Sequence, residues 1–216
     1  MENISIRQER PREYKAVESL TRTAFWNVYT PGCSEHYLLN HLRSHPDFLP
    51  QLSLTAHVDG QLAGHIAFTK AYIQEGQNRC PVLCCGPLSV LPQFQRQGIG
   101  SALLNHALQQ AAKEGFPAVC LYGDPRYYRK WGFQSSEVYD IRTEDNCYAV
   151  CLLVKGLRPG ILPTLHGCFH APAYEIDLSG LPEFDKAFPP MEKARRKSQQ
   201  DFKLLCSLRF PAGDTF

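Results

Sequence analysis

Gln95 to Gly100, QRQGIG, sets two glycines one residue apart where a long helical pattern begins. Glycine inside a helix costs roughly 1 kcal/mol relative to alanine, so two in one first turn need a compensating role. The first N–H groups of a helix have no internal partners and carry the positive end of its dipole. Side chains at Gly98 and Gly100 would hold a phosphate away from those groups; glycine lets it approach. Anion binding is the chemistry this stretch suits. The dinucleotide and P-loop fingerprints do not fit, since a third glycine at G-x-G-x-x-G spacing and a G-K-[ST] are both missing. A structural use of Gly100, letting the helix approach a sheet, stands as the alternative.

Other reactive side chains carry less. In HGCFH, His166, Cys168 and His170 alternate, so a strand would turn three metal-ligand types to one face, but no fourth ligand is evident and no metal is expected. The nine cysteines are odd in number, lie mostly in apolar runs and form no C-x-x-C pair, which reads as reduced, buried thiols. With 23 basic and 21 acidic residues the net charge is +2. The one dense basic cluster, Lys193, Arg195, Arg196 and Lys197, is expected to be a solvated helix face, which argues against a nucleic-acid or membrane-surface role. No secretion leader and no 18-residue apolar run are seen, so a cytoplasmic location is expected.

The 216 residues, 44% of them hydrophobic, can bury one sizeable core. ISIRQ, Ile4 to Gln8, alternates as a strand, and Val17, Leu20, Ala24 and Phe25 then share a helical face behind Pro11. Ser34 is placed to cap a second helix carrying Leu38, Leu39 and Leu42 and stopped by Pro46. LSLTAHV and LAGHIAFTKAYI flank Asp59-Gly60, a two-residue hairpin signal. VLCCGPLSV, Val82 to Val90, is an apolar strand broken by Gly86-Pro87, which predicts a bulge or a parting of strands. The glycine-rich loop follows it. Gly100, Leu103, Leu104, Ala107, Leu108 and Ala111 are expected to form the buried face of a helix ended by Gly115, with a buried strand in PAVCLYGD after it.

In that setting QRQGIG resembles the pyrophosphate loop of the GNAT acetyltransferase superfamily, [RQ]-x-x-G-x-[GA] after a split strand. YYRKWGF, Tyr127 to Phe133, resembles the closing motif of the same superfamily, in which a tyrosine precedes a G-F pair. GPLSVLP, LYGDPRYYRKWGF and the hairpin LTAHVDGQLAGHIAF are similar to the YhbS-like branch, as is HGCFHAPAYEID near the end. The resemblance implies an α/β (α+β) GNAT acyltransferase fold: a mixed central sheet with splayed parallel strands, flanked by helices. It implies a core over residues 1–155, with 156–216 supplying a strand and helix that complete the same domain.

The implied activity is acetyl-CoA-dependent transfer of an acetyl group to a primary amine, more readily a small molecule than a protein. An acyl-CoA-binding sensor with a closed acceptor cleft is the alternative. Leu88, Ser89 and Val90 would offer the strand edge for the pantetheine arm, with the Leu88 N–H polarising the acetyl carbonyl. Gln95, Arg96, Gln97, Gly98, Ile99, Gly100 and Ser101 would wrap the pyrophosphate. Tyr128 would donate a proton to the departing thiolate, while Tyr127 is expected on another face. For the base, Glu35 leads, with His36, His65, Tyr72 and Asp124 as alternatives. No metal is implied, and a homodimer is left open.

Overall fold

A computed structural model describes residues 4–213. In chain order the strands and helices are β1 (Ile4–Gln8), α1 (Tyr14–Phe25), α2 (Glu35–Leu42), β2 (Leu54–Val58), β3 (Gln61–Glu75), β4 (Asn78–Val90), α3 (Ile99–Lys113), β5 (Ala118–Tyr122) and α4 (Pro125–Tyr128). There follow β6 (Gln134–Ser135), β7 (Ile141–Arg142), β8 (Cys147–Ala149), β9 (Leu152–Gly156), β10 (Gly167–His170), α5 (Leu181–Asp185), α6 (Lys197–Ser207) and β11 (Arg209–Pro211). The main sheet runs β1-β2-β3-β4-β5-β9-β6, with β10 against the far end of β3 and β7 against β10. Strand β4 runs antiparallel to β3 and parallel to β5, so the sheet is mixed.

Local chemistry explains the elements that matter most. Asp59 and Gly60 both take positive φ, 47° and 83°, the twist that a two-residue hairpin between β2 and β3 requires. Gly98 (φ 86°) precedes α3 and Gly115 (φ 86°) follows it, left-handed positions where a side chain is strained. Leu103, Leu104, Ala107, Leu108 and Ala111 of α3 are buried against Ile66, Phe68, Leu83 and Val119 of the sheet. The helix lies close because Gly64 has no side chain: a Cβ there would stand 3.0 Å from Leu103 Cδ1 and 3.0 Å from the Ser89 carbonyl. Alternation puts Ala67 on the opposite face, where it packs with Val17 of α1 and with Leu39 and Leu42 of α2.

Two expectations are corrected here. Gly100 is not part of the buried face of α3; Ile99, 1% exposed, takes that place, and the close-packing glycine is Gly64 on the strand. The basic cluster is not a helix face either, because Lys193, Arg195 and Arg196 lie outside any helix and only Lys197 begins α6. Tertiary hydrogen bonds hold that segment: Asn27 Oδ1 accepts from the Ala194 N–H at 3.0 Å, and Trp26 Nε1 donates to the Glu192 carbonyl at 2.8 Å.

The last quarter of the chain is tied to the rest at several points. Arg22 donates to both Asp185 oxygens (2.7 and 3.1 Å) and to the Pro189 carbonyl, and Tyr29 stacks on Phe202 with centroids 4.1 Å apart. All nine cysteines are free. His166 pairs with Glu75, while His170 pairs with Glu144 at 3.1 Å and stacks on Tyr72. No cluster suited to a metal occurs among the described residues. Among them, no helix is long and apolar enough to cross a membrane.

Candidate active site

The site begins at Gly86-Pro87. Phe68 pairs with Cys85 and Ile66 with Leu88, so two residues of β4 stand opposite Ala67 alone: a bulge, as the Gly-Pro break predicts. Tyr174 fastens it, its hydroxyl donating to the Gly86 carbonyl at 2.6 Å. On the other side, β4 and β5 pair only at Leu83 with Val119 and Cys84 with Cys120. Beyond that point β5 pairs with β9 alone, and Leu88 to Val90 pair with β3 alone. The two parallel strands have parted, and backbone normally consumed by a ladder faces the gap.

At the mouth of the gap lies a cavity of about 570 Å³, walled by Leu88 and Val90 of β4, by Gln95, Arg96 and Gly98 of the loop, and by the first turn of α3 from Ile99 to Ser101. The first helical bond of α3 is Ala102 N–H to the Gly98 carbonyl, so the preceding N–H groups have no partner within the helix. A Cβ on Gly98 would meet nothing within 4 Å and would project into open space. One on Gly100 would lie 3.1 Å from the Tyr127 hydroxyl and 3.6 Å from Val90 Cγ2, between the loop and the parted strand. A cradle that a side chain would fill, with unpaired N–H groups at its base, fits a phosphate. Gln95 braces the turn, donating to the Val90 carbonyl at 3.0 Å.

Two residues expected in this group do not line the cavity. The Ser89 side chain turns to the other face, buried, its Oγ 3.0 Å from Thr21 Oγ1. Gln97 donates back to the Gln93 carbonyl at 2.9 Å.

Tyr128 ends α4, whose start is fixed by Asp124: the carboxylate accepts the Arg126 N–H at 2.8 Å and also holds the Arg126 guanidinium. Asp124→Ala is expected to lower unfolding stability by about 1 kcal/mol, the usual value of an N-cap, read as a shifted urea midpoint. The Tyr128 ring packs edge-on against Phe133 at 5.6 Å. Burial pushes its phenol well above the ordinary tyrosine range, so it keeps its proton at neutral pH. Tyr128 borders the first cavity and also a second, of about 390 Å³, on the far side of Leu88. Tyr127, contrary to expectation, lines the first cavity as well, but it does not reach the second.

The second cavity contains Glu35, whose Oε2 accepts the Ser34 N–H at 3.0 Å. Burial raises its pKa, and the amides of Glu35 and Ser34 only partly offset that. The alternatives to Glu35 are engaged elsewhere. His36 is buried with Nε2 3.0 Å from Asp185 Oδ1, and burial lowers its pKa to about 4. His65 is buried beside Ser53 Oγ at 3.0 Å. Tyr72 stacks on His170, and Asp124 is held by Arg126.

Comparison with known proteins places this geometry. The Acetyltransferase (GNAT) domain family matches residues 51–135. The uncharacterized N-acetyltransferase YhbS of Escherichia coli strain K12 is 30% identical over 138 residues, covering 63% of this chain and 77% of YhbS. The chain belongs to the GNAT acetyltransferase family. A second relative from that strain, the uncharacterized N-acetyltransferase YjhQ, is 34% identical over 86 residues, 39% of this chain. That match spans about half, 47%, of YjhQ. Among solved structures, E. coli YhbS in complex with CoA superposes with a TM-score of 0.71 at 23% identity, over 82% of this chain and 94% of that one. A GNAT acetyltransferase from Brucella melitensis in complex with acetyl-CoA gives a TM-score of 0.64 at 29% identity, over 80% and 99%. The mixed sheet with parted parallel strands is therefore the GNAT fold.

Lys130, Tyr29 and Phe202 are given no individual role by the motif reading. Lys130 lines the first cavity, its ammonium 4.3 Å from the Trp131 ring, and brings positive charge to the phosphate side. Tyr29 borders both cavities, and Phe202 of α6 closes the second against it. No spacing rule joins positions so far apart in the chain. The available signals were RKWGF, where Lys130 sits inside the closing motif, and YTPGCSEHY, the segment between the first two helices that Tyr29 opens and that the family resemblance sets at the acceptor pocket.

Proposed function

We propose that the chain is an acetyl-CoA-dependent N-acetyltransferase acting on a primary amine of a small molecule. The observation that carries this reading is the pair of cavities meeting at Leu88 and Tyr128, one shaped for a phosphate and the other open beside Glu35. An open acceptor side speaks against a sensor with a closed cleft. The first cavity would hold the pyrophosphate through the backbone from Gly98 to Ser101, with Arg96 and Lys130 adding charge. The parted edge at Leu88 and Val90 would take the pantetheine arm, and residues 156–216 would complete the domain by closing the acceptor side.

Acetyl-CoA supplies an acetyl group activated as a thioester. Glu35, as carboxylate, takes one proton from the ammonium and leaves a nucleophilic amine. The amine nitrogen forms its bond to the acetyl carbon as the carbon–sulfur bond breaks. Tyr128 gives its phenolic proton to the sulfur, and the second proton of the nitrogen restores the phenol. The sum is an amide, a free thiol and a protonated Glu35, which returns its proton to solvent. The Leu88 N–H would steady the charge that builds on the acetyl oxygen.

Acetyl-CoA should stabilise the protein against heat, by about 2.7 kcal/mol at 100 times its dissociation constant. Gly100→Val is expected to abolish that gain, because the new side chain fills the space between Val90 and the Tyr127 hydroxyl. Gly98→Val should do the same and also lower the starting stability, since φ is 86° there. Melting curves with and without acetyl-CoA read both. A Gly100→Val protein stabilised as much as its parent would remove the pyrophosphate assignment.

A further inference from the structure

The acceptor cavity has a chemistry of its own. Its walls come from α1, α2, β4, β5, α4 and α6 and from the segment after β10, and its large side chains are mostly aromatic, Phe25, Tyr29, Tyr122, Tyr128, Tyr174 and Phe202, with Leu38 and Leu88 beside them. Phe25, Tyr29 and Phe202 form a continuous aromatic run: Phe25 and Tyr29 have centroids 5.7 Å apart, and Tyr29 and Phe202 stack at 4.1 Å. Four thiols, from Cys84, Cys85, Cys151 and Cys206, fill much of the remaining wall. Among the described residues, the one carboxylate in the cavity is Glu35, and no Lys, Arg or His lines it.

From this wall we infer that the acceptor is a monoamine carried on a flat, largely apolar body, an arylalkylamine in chemical class. The inference rests on the acetyltransferase reading for the position of the acetyl group, but the recognition it describes belongs to the cavity alone. A single ammonium finds a single carboxylate. A second or third positive charge, as in a polyamine or an aminoglycoside, would enter an aromatic and thiol surface with no partner, and an unpaired buried charge is strongly unfavourable. Asp124 and Asp201 belong to a neighbouring cleft that shares Tyr29 and Phe202 as its wall, and Asp124 there is already paired with Arg126. Size agrees. A volume of about 390 Å³ is near the lower end of the roughly 300–1,000 Å³ typical of ligand sites, room for one or two rings and a short chain. A flat ring can take an offset or edge-on place against the Phe25–Tyr29–Phe202 run, the geometry aromatic pairs favour. The short chain then leads toward Glu35, in the cavity that Leu88 and Tyr128 also line and where the acetyl group would arrive.

The test uses the full chain, with 2-phenylethylamine and tryptamine set against spermidine, kanamycin and a lysine-containing peptide. Acetylated product is read by mass and amine binding by calorimetry. The arylalkylamines are expected to exceed spermidine, with its two further amines, by at least about 100-fold in kcat/KM, a tenfold for each unpaired charge, and to exceed kanamycin and the peptide as well. Phe202→Ala should raise KM for 2-phenylethylamine about tenfold, with kcat and acetyl-CoA stabilisation little changed. Phe202→Glu adds a second carboxylate from a surface helix and should move the preference toward spermidine. Higher kcat/KM for spermidine, kanamycin or the peptide in the parent protein would overturn the inference, as would absence of any binding or turnover of both arylalkylamines. If 2-phenylethylamine bound in a Phe202-dependent way while acetyl-CoA gave no stabilisation, the acetyltransferase reading would fall and the amine site would stand.

Discussion

Tyr128→Phe is expected to lower kcat by about 10²- to 10⁴-fold, the range in which a positioned acid acts, with acetyl-CoA affinity nearly unchanged. The substitution removes one hydroxyl and keeps the ring, so the edge-on contact with Phe133 and the packing beside Trp131 survive. The loss belongs in kcat because the phenol acts as sulfur leaves, after binding is complete. Burial sharpens the expectation: a phenol held well above its ordinary pKa does not release its proton to water at neutral pH, and it gives the proton up only as negative charge builds on the sulfur. Two controls separate the alternatives. Tyr127→Phe should change kcat little, since Tyr127 faces the phosphate side and does not reach the acceptor cavity. Tyr29 borders both cavities, so a loss in Tyr29→Phe that matched or exceeded the loss in Tyr128→Phe would transfer the acid role to it. Steady-state kinetics with saturating acetyl-CoA, alongside melting curves for cofactor binding, distinguish these results.

The parts of the site that obey one local rule are legible in the amino-acid sequence. A break at Gly86-Pro87 in an apolar strand means a bulge by the properties of glycine and proline alone, and the register shift opposite Ala67 is that bulge. Gly98 and Gly100 report a backbone that something must approach, and they stand at the cavity. What is not legible depends on approach in three dimensions. Helical spacing cannot tell whether Gly100 or Ile99 faces the core, because the phase of α3 is set by Gly64, a residue of another element. Alternation along β4 turns Leu88 and Val90 toward the cavity and Ser89 toward Thr21, a choice that a three-residue motif treats as one edge. Charge density suggests a helix face at Lys193 to Lys197, but the segment before Lys197 is not helical and is held instead by hydrogen bonds to Trp26 and Asn27. Tyr29 and Phe202 meet only because the last quarter of the chain folds back, and no pattern in either segment announces the contact.

Glu35→Gln should separate chemistry from stability at a single position. If Glu35 takes the proton from the ammonium, loss of the carboxylate is expected to lower kcat/KM by about 10²- to 10⁴-fold at neutral pH. The parent enzyme should also show an acid limb. Only the carboxylate can accept a proton, and burial has raised the pKa of Glu35, so activity should fall as pH drops through a value above the ordinary 4.5. That limb should vanish in the Glu35→Gln variant. Stability runs the other way. A carboxyl whose pKa is higher folded than unfolded binds more protons in the folded state across the interval between the two values, so its contribution declines as pH rises through that interval. Above it the parent carries a half-buried charge whose partial desolvation opposes folding, and a neutral amide of the same shape does not. Glu35→Gln is therefore expected to be as stable as the parent at low pH and more stable at pH 7, by urea denaturation at both. Its amide oxygen can still accept the Ser34 N–H that Oε2 accepts now. A variant slower and less stable at pH 7 would mean that Glu35 holds the start of α2 in place, and a water chain would then be the route for the proton. Slower but more stable is the signature of a charge kept partly desolvated for function at the expense of the fold.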